Sequence, residues 1–346
     1  MTAPTTDRVD IQNAQARIEH PRLRHCTFKW VSDDSPMLMI VGKEYFEITE
    51  DFGTREQFLT IKRYFDGRHS IAQIAERAGV DEDSVRQIAQ TFDELGLLYR
   101  TRPMASVPAK AFTEQIEASC DMWGRQIGFH NLFAGLESGD LRGEVFMGMI
   151  LETYHYVKAA PKHIATAIAH CDDERLVPLL SRYFTEEYNH AGMLLQSLKK
   201  MGVPKEHIKS AHPVIGTWSL INNLCEIARQ DTLSYIACTT LFEARADDFE
   251  EGTESLRRAA RTAGYPEACA EPLITHMRID VEAGHVGLLD EAVGILGDIP
   301  AANAHKAVNN LHDLKHSYDQ FHDGIVQYYS DIANYIPRIK VDYFSL

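Results

Sequence analysis

The stretch of residues 275–289, THMRIDVEAGHVGLL, places four side chains of metal-ligand type within ten residues. His276 and Asp280 are four residues apart, and Glu282 and His285 are three residues apart. On a helix, residues at these spacings share a face, so each pair would present an imidazole together with a carboxylate. Helical bundles present metal ligands to their cores in this way. The stretch therefore predicts a ligand-bearing helix, which needs matching partners elsewhere in the chain to form a site.

Matching partners occur in three other apolar segments. Glu152 and His155 are spaced i, i+3 in MILETYHYV, and Glu187 and His190 have the same spacing in YFTEEYNHAGMLL. Glu243 follows the apolar stretch CTTLF. An unpaired carboxylate is costly to bury, so carboxylates on separate apolar helices indicate a shared partner. Imidazole and carboxylate together suit iron or manganese, and two Glu-x-x-His pairs with single glutamates on other helices are typical of di-iron bundles.

The second part of the chain, from residue 112 to about residue 335, predicts only helices. Their apolar positions recur with helical spacing, and glycines and prolines mark the breaks. We expect a bundle of about seven helices, and the fold class is mainly α. The predicted helical segments are residues 112–136, 143–160, 162–170, 174–201, 217–248, 254–263, 271–296 and 301–335.

The first part of the chain predicts a small α+β unit. PRLRHCTFKWV and MLMIVGKEYFEI are rich in strand-forming residues. Three helices follow: FLTIKRYF, IAQIAERA with Ser70 as its N-cap, and residues 82–95 with Asp81 as N-cap. Gly96 ends the third helix, and LLYR then predicts a wing-like strand. This is a winged-helix layout, so we expect a domain at residues 1–100, a linker at 101–111 and a helical domain at 112–346.

The charge of the chain excludes several classes of partner. There are 50 acidic residues against 35 basic ones, a formal net charge of -15, which argues against nucleic acid and anionic membrane surfaces. The third helix is itself acidic, with Arg86 as its single base, whereas a helix that enters a DNA groove should be basic. The six cysteines are scattered, and the polar first ten residues carry no apolar signal sequence. We therefore expect a cytoplasmic protein with reduced thiols.

The first domain resembles the PqqD-like domains that recognise precursor peptides. The resemblance rests on PRLR near the start, on YFDGRHSIAQIA, and on the third helix followed by GLL. It implies that a peptide adds as a strand at the sheet edge beside the third helix. The alternative is an accessory domain that only assists packing or dimerisation.

The second domain resembles the haem-oxygenase-like di-iron oxidases and oxygenases. The resemblance rests on FHNLFAGLESGDL, ETYHYVKAAPKHIA, YFTEEYNHAGMLLQSLKKMGV, the helix through Glu243, and HMRIDVEAGH. It implies two Fe ions (Fe2+/Fe3+), or one Mn and one Fe, with O2 as co-substrate and an external electron donor. The substrate would be a small amino-acid-derived or peptide-borne molecule, changed by N-oxygenation, desaturation or oxidative C–C cleavage. A homodimer is expected on fold analogy alone.

The resemblance also assigns metal ligands. It makes Glu152 and His155 first-helix ligands, Glu243 the middle carboxylate, and His276 with Asp280 the start of a His-x-x-x-Asp-x-x-His motif. The final position of that motif is Ala283 here, so either His285 or His190 would replace the missing histidine, or one of the two metal sites is weak or absent. The predicted ligand set is Glu152, His155, Glu187, His190, Glu243, His276, Asp280 and His285.

Two alternatives stay open at this point. One is a cofactorless oxidase of the PqqC kind on the same fold, in which histidines bind an organic substrate and O2. The other is a non-catalytic peptide-binding or scaffold protein whose metal site has decayed, as Ala283 in place of a histidine suggests.

Overall fold

The structure is a computed structural model, and the described residues fall into two compact units, Met1–Met104 and Ala105–Leu346. The description covers residues 15–30, 36–41, 44–48, 53–99, 105–242, 249–283, 287–342 and 344. Within these residues no helix is both long enough and apolar enough to cross a membrane. None of the six cysteines forms a disulfide within the described residues, and all but Cys171 are buried.

The sheet of the first unit has three antiparallel strands, β1 (Thr27–Lys29), β2 (Met37–Val41) and β3 (Glu44–Ile48), in the order β1-β2-β3. The segment MLMIVGKEYFEI, expected as one strand, is therefore a pair of strands. Burial alternates along β2, as expected for a strand with one face against the core: every second residue is buried, and its neighbours are more exposed. The register aligns Met39 with Phe46, which places two apolar side chains on one face.

Three helices complete this unit, α1 (Arg55–Tyr64), α2 (Ile71–Ala78) and α3 (Glu82–Glu94). Their ends follow local chemistry. Thr54 and Ser70 form capping boxes with the glutamines three residues later, and the Asp81 carboxylate accepts from Ser84 N at 2.8 Å. The N-caps predicted at Ser70 and Asp81 are confirmed.

The core of the first unit lies between the sheet and the three helices. Its fully buried side chains include Met39, Phe58, Ile74, Val85 and Leu97. The wing-like strand predicted after Gly96 is reduced to one isolated β-bridge, between Leu98 and Leu23. Two backbone hydrogen bonds flank this bridge, from Arg24 N to Leu97 O and from Tyr99 N to Arg22 O, both at 2.8 Å, and Arg100 lies outside the described residues.

The short helix at residues 15–19 is tied to α3 by ion pairs. Arg17 Nε and Nη2 lie 2.8 and 3.1 Å from the two carboxylate oxygens of Asp93, and Arg86 Nη1 lies 3.0 Å from Glu19. Arg86, the one basic residue of α3, is therefore engaged within the unit. Because these ion pairs are partly exposed, they fix the position of the short helix on α3 more than they add to the free energy of unfolding.

The second unit is a helical bundle with a two-stranded ribbon. Many of its elements end at a glycine or begin at a proline, as the sequence predicted. The elements are β4 (Ser106–Val107), α4 (Ala109–Gly128), α5 (Asn131–Ser138), α6 (Gly143–Lys158), α7 (Ala160–Ala169), α8 (Val177–Glu187), α9 (Ala191–Lys200), α10 (Lys205–Ser210), α11 (Ile215–Gln230), α12 (Thr232–Phe242), α13 (Phe249–Thr262), α14 (Glu271–Ala283), α15 (Leu288–Leu296), β5 (Ile299–Pro300) and α16 (Ala301–Ser330).

The predicted linker at residues 101–111 is only partly a connection. In its described part, β4 pairs with β5 in an antiparallel ribbon, and α4 already begins at Ala109. The amide of Ala109 donates to the Asp298 carboxylate at 3.2 Å. Residues 106–111 of the segment predicted as a linker therefore carry regular structure within the second unit.

Three of the predicted helical segments are each divided within the described residues, and the first of them, 112–136, forms α4 and α5. The segment predicted at residues 174–201 breaks at residues 188–190, where amides bond three residues back: His190 N to Glu187 O and Met193 N to His190 O. The segment predicted at residues 217–248 breaks at Asp231, whose backbone is extended and whose carboxylate accepts from Ser234 N at 2.9 Å. An aspartate that caps the next helix competes with helix continuation.

The helix α6 is buried along most of its length. It packs against α9, α11 and α16. Gly148 lies where a methyl group would overlap the ring of the buried Tyr329 on α16. A side chain at this position would force α6 and α16 apart.

We expect Gly148→Ala to lower the free energy of unfolding by about 1–3 kcal/mol, because the added methyl overpacks a closed contact. Gly294→Ala, inside α15, is the matched control, since a Cβ there meets no atom within 4 Å. The control should be neutral or stabilise by about 0.5–1 kcal/mol through helix propensity. Urea unfolding of both variants measures the difference. Equal stabilities would contradict the close α6–α16 contact.

Candidate metal centre

Three segments of the second unit bring four of the predicted ligands together. Glu187 is the last residue of α8, His190 lies in the break before α9, and His276 and Asp280 lie on α14. The helix α9 packs directly on α14. The break at residues 188–190 therefore places Glu187 and His190 against the helix that carries the opening sequence motif.

The distances within this group are short. His190 Nδ1 lies 3.1 Å from Glu187 Oε2 and 3.7 Å from Asp280 Oδ1. His276 Nδ1 lies 2.9 Å from Asp280 Oδ2. The rings of His190 and His276 meet edge to face with centroids 4.7 Å apart. One ligand atom from each of Glu187, His190 and His276 lies within 4.8 Å of the others.

The hydrogen bond of His276 selects the nitrogen that faces a ligand. A carboxylate accepts only, so Nδ1 of His276 carries the proton that is donated to Asp280. The remaining nitrogen, Nε2, then holds a lone pair, and it is buried without a hydrogen-bond partner among the described residues. Carboxylates hold metal-binding histidines in this tautomer in many proteins. The contact with Asp280 therefore leaves the lone pair of His276 on a buried nitrogen, as a metal ligand would require.

The group is enclosed by protein. Glu187, His190 and Asp280 are 4–7% exposed. Glu187 and Asp280 both contact His190, and two buried carboxylates on one histidine repel each other unless positive charge lies near them. Two imidazoles and one carboxylate with open positions are the donor set of non-haem Fe(II) centres. The donor chemistry and the buried nitrogen of His276 fit a divalent metal ion held by Glu187, His190 and His276.

Glu152, a predicted ligand, lies in a different network. Its carboxylate is fully buried, and it accepts hydrogen bonds from Val214 N at 3.1 Å, from the Thr217 hydroxyl, and from Tyr329 Oη at 2.7 Å. Burial raises the pKa of Glu152, although these hydrogen bonds oppose the shift. Both oxygens are engaged, so Glu152 joins α6, the start of α11 and the end of α16, and the structure does not bring it into the ligand group.

His155 also stays outside the group, although it is buried. Burial lowers its pKa to about 4, with smaller contributions from Lys158 and His212. The ring is therefore neutral at neutral pH, and its Nε2 has no hydrogen-bond partner among the described residues. The i, i+3 spacing with Glu152 does not by itself create a shared site.

The other predicted ligands, Glu243 and His285, lie outside the described residues, as do the neighbouring residues 244–248, 284 and 286. Whether either residue reaches the group stays a prediction. Glu282, which shares the opening motif, is exposed.

Two buried histidines did not stand out in the sequence. The ring of His163 bonds to Tyr235 Oη through Nδ1 at 2.8 Å, and burial lowers its pKa to about 3. His322 lies against Phe133, with ring centroids 5.0 Å apart, and its pKa is likewise about 3 because of burial. Each histidine lies on the apolar stripe of its helix, so the helical spacing of the apolar residues could have predicted that both side chains are buried.

Known proteins resemble the second unit. A model of the TENA/THI-4/PQQC family matches residues 117–271, just under half of the chain. The crystal structure of a domain of unknown function with a haem-oxygenase-like fold, from Shewanella denitrificans OS217, is 18% identical with a TM-score of 0.55, covering 64% of this chain and 97% of that one. A TenA homologue from Pseudomonas syringae pv. tomato str. DC3000 is 14% identical with a TM-score of 0.50, covering 64% of this chain and 94% of that one.

No curated protein matches the sequence significantly. At these identities the two structures show the fold and no more. The predicted fold class is confirmed: the chain is mainly helical, and its second unit has a haem-oxygenase-like fold.

The pH dependence of stability should reveal the buried carboxyl of Glu152. A folded-state pKa above the unfolded value of about 4.3 means that the folded protein holds the proton more tightly. This contribution to stability is complete below the unfolded pKa and is lost as pH rises through the folded pKa. We expect the wild type to lose stability relative to Glu152→Gln as the pH rises above about 4.3 and through the raised pKa of the folded state, as urea unfolding would show.

The Glu152→Ala variant tests the same network differently. It leaves the donors from Val214, Thr217 and Tyr329 buried without an acceptor, so we expect about 2–4 kcal/mol of destabilisation. A Glu152→Ala variant as stable as the wild type would contradict the anchoring role.

Proposed function

We propose that the protein is a non-haem iron oxidase or oxygenase that uses O2 to oxidise a small organic substrate. The observation that carries this proposal is the buried convergence of Glu187, His190 and His276. These residues form the 2-His-1-carboxylate set that is characteristic of non-haem Fe(II) oxygenases. The haem-oxygenase-like fold supports the proposal by analogy only.

The described residues supply ligands for one metal ion, and a second ion would draw on Glu243 and His285. Asp280, which lies between His190 and His276, is the carboxylate nearest to such a second position. Two iron ions, or one manganese and one iron, therefore stay part of the proposal. Glu152 is not included, because both of its oxygens are already engaged by the protein.

Each residue of the site has a separate task. Glu187, His190 and His276 would hold the ion, and Asp280 keeps the proton of His276 on Nδ1. The bound metal would supply O2 binding and electron transfer. Burial of the group excludes bulk water and strengthens its electrostatic interactions. Because O2 chemistry of this kind consumes electrons, we also propose an external electron donor as a partner.

We further propose that the first unit is a PqqD-like domain that presents a peptide-borne or amino-acid-derived substrate. Support comes from its three-stranded antiparallel sheet, in which β1 and β3 are the outer strands, and from the three helices that follow. The exposed side chain of Tyr45 on β3 is an apolar contact that an added strand could use. A cytoplasmic homodimer would be consistent with the free cysteines and the haem-oxygenase-like fold.

Iron content with O2 uptake tests the proposal. We expect iron-loaded wild type to retain at least about one iron per chain and to react with O2 after anaerobic reduction. Glu187→Ala and His276→Ala should each lose most of the iron, and Asp280→Asn should lower the affinity by about 10–100-fold, because the His276 tautomer is no longer fixed. His170→Ala, at an exposed helix end, is the matched control.

The number of irons distinguishes the versions of the proposal. A content near two per chain would place Glu243 or His285 in the centre, and a content near one would match the three described ligands. Wild-type protein that binds no iron would refute the proposal. Iron content that is the same in the wild type and in Glu187→Ala would refute it as well. Substrate oxidation without any metal would then favour the cofactorless oxidase, and its absence would favour a peptide-binding scaffold.

A further inference from the structure

A second pair of histidines lies on α16, apart from the ligands of the metal centre. His312 and His316 are four residues apart, and their Nε2 atoms are 3.2 Å from each other. The ring planes are nearly perpendicular, with centroids 4.5 Å apart. The ring of His312 also lies beside the buried Trp123, with centroids 5.2 Å apart. One ring is thus held by an aromatic neighbour, while the other, 56% exposed, faces solvent.

The spacing of the two nitrogens matches that of two ligands of one metal ion. Imidazole nitrogens bind Zn2+ at about 2.0–2.1 Å. Two such ligands at octahedral or tetrahedral angles lie about 2.9–3.3 Å apart. The observed 3.2 Å falls in this range. Without an ion, the same distance is an ordinary N–H···N hydrogen bond, so a metal would replace the one shared proton.

Neighbouring groups favour the ligand tautomer. The Asp319 carboxylate lies 3.5 Å from Nδ1 of His316, and it also pairs with Lys315. A proton drawn to Nδ1 by the carboxylate leaves the lone pair of His316 on Nε2. The ring of His312 is held beside Trp123, and its Nε2 lies next to Nε2 of His316. Both rings can therefore bind a cation.

We propose that His312 and His316 form a second, solvent-facing site for a divalent transition-metal ion that prefers imidazole, such as Cu2+, Ni2+ or Zn2+. Affinity should follow the usual order, with Cu2+ bound most tightly. Among the described residues, no third histidine, cysteine or carboxylate completes a ligand group here, so water would fill the remaining positions. This site is independent of the proposed oxygenase function.

Copper titration followed by tryptophan fluorescence tests the site. All variants carry His276→Ala, which removes the metal centre from the measurement. We expect Cu2+ to quench the fluorescence of Trp123, because the paramagnetic ion would be bound by His312, whose ring contacts Trp123. His312→Ala and His316→Ala should each weaken binding by roughly tenfold or more, since each removes one of two chelating ligands.

His305→Ala is the matched control, because His305 is exposed on the same helix and has alanine and asparagine one turn away on either side. Trp123→Phe should abolish the quenching while calorimetry still detects one bound Cu2+. Circular dichroism confirms that the variants are folded. If His312→Ala and His316→Ala bind Cu2+ as tightly as His305→Ala does, the proposal is wrong.

Discussion

The helical unit depends on one buried carboxylate that must be satisfied where three helices meet. Glu152 lies on α6, and it accepts from the first residues of α11 and from the last turn of α16. Because an unsatisfied group of this kind would be strongly unfavourable, the three helices are held in one arrangement. Gly148, one turn earlier, allows Tyr329 to approach closely enough to donate. Apolar packing supplies most of the stability, and this network selects which packing is formed.

The metal centre depends on an interruption of regular structure. A continuous helix through residues 177–200 would direct His190 according to the helical period alone. The three-residue hydrogen bonds at residues 188–190 instead place Glu187 and His190 together against α14. Interruptions of this type are common at functional sites, because they free side chains from the helical repeat. Asp280 then connects the two histidines and sets the proton position of His276.

The two carboxylates that the sequence treated alike therefore serve different purposes. Glu152 and Glu187 both stand three residues before a histidine in an apolar helix. The neighbours of Glu152 are a backbone amide and two hydroxyl groups, all of them donors. Glu187 lies near two imidazoles, and Asp280 contacts both of those rings, so this group suits a cation. Hydrogen-bond donors satisfy a buried carboxylate without a metal ion, whereas a second carboxylate nearby favours the binding of a metal ion.

Local signals in the sequence determined most of the helices, the strand-rich first unit and the caps at Ser70 and Asp81, whereas the haem-oxygenase-like fold was expected from the resemblance of its motifs to a known family. Such features depend on residues close along the chain, through periodicity and capping. The sequence also singled out the four side chains that the structure brings together, Glu187, His190, His276 and Asp280. Only the tertiary structure separated these residues from Glu152 and His155, and only it divided the helices at residues 188–190 and at Asp231. The reason is that spacing along one helix fixes which side chains share a face, while the contacts of that face depend on packing between distant segments.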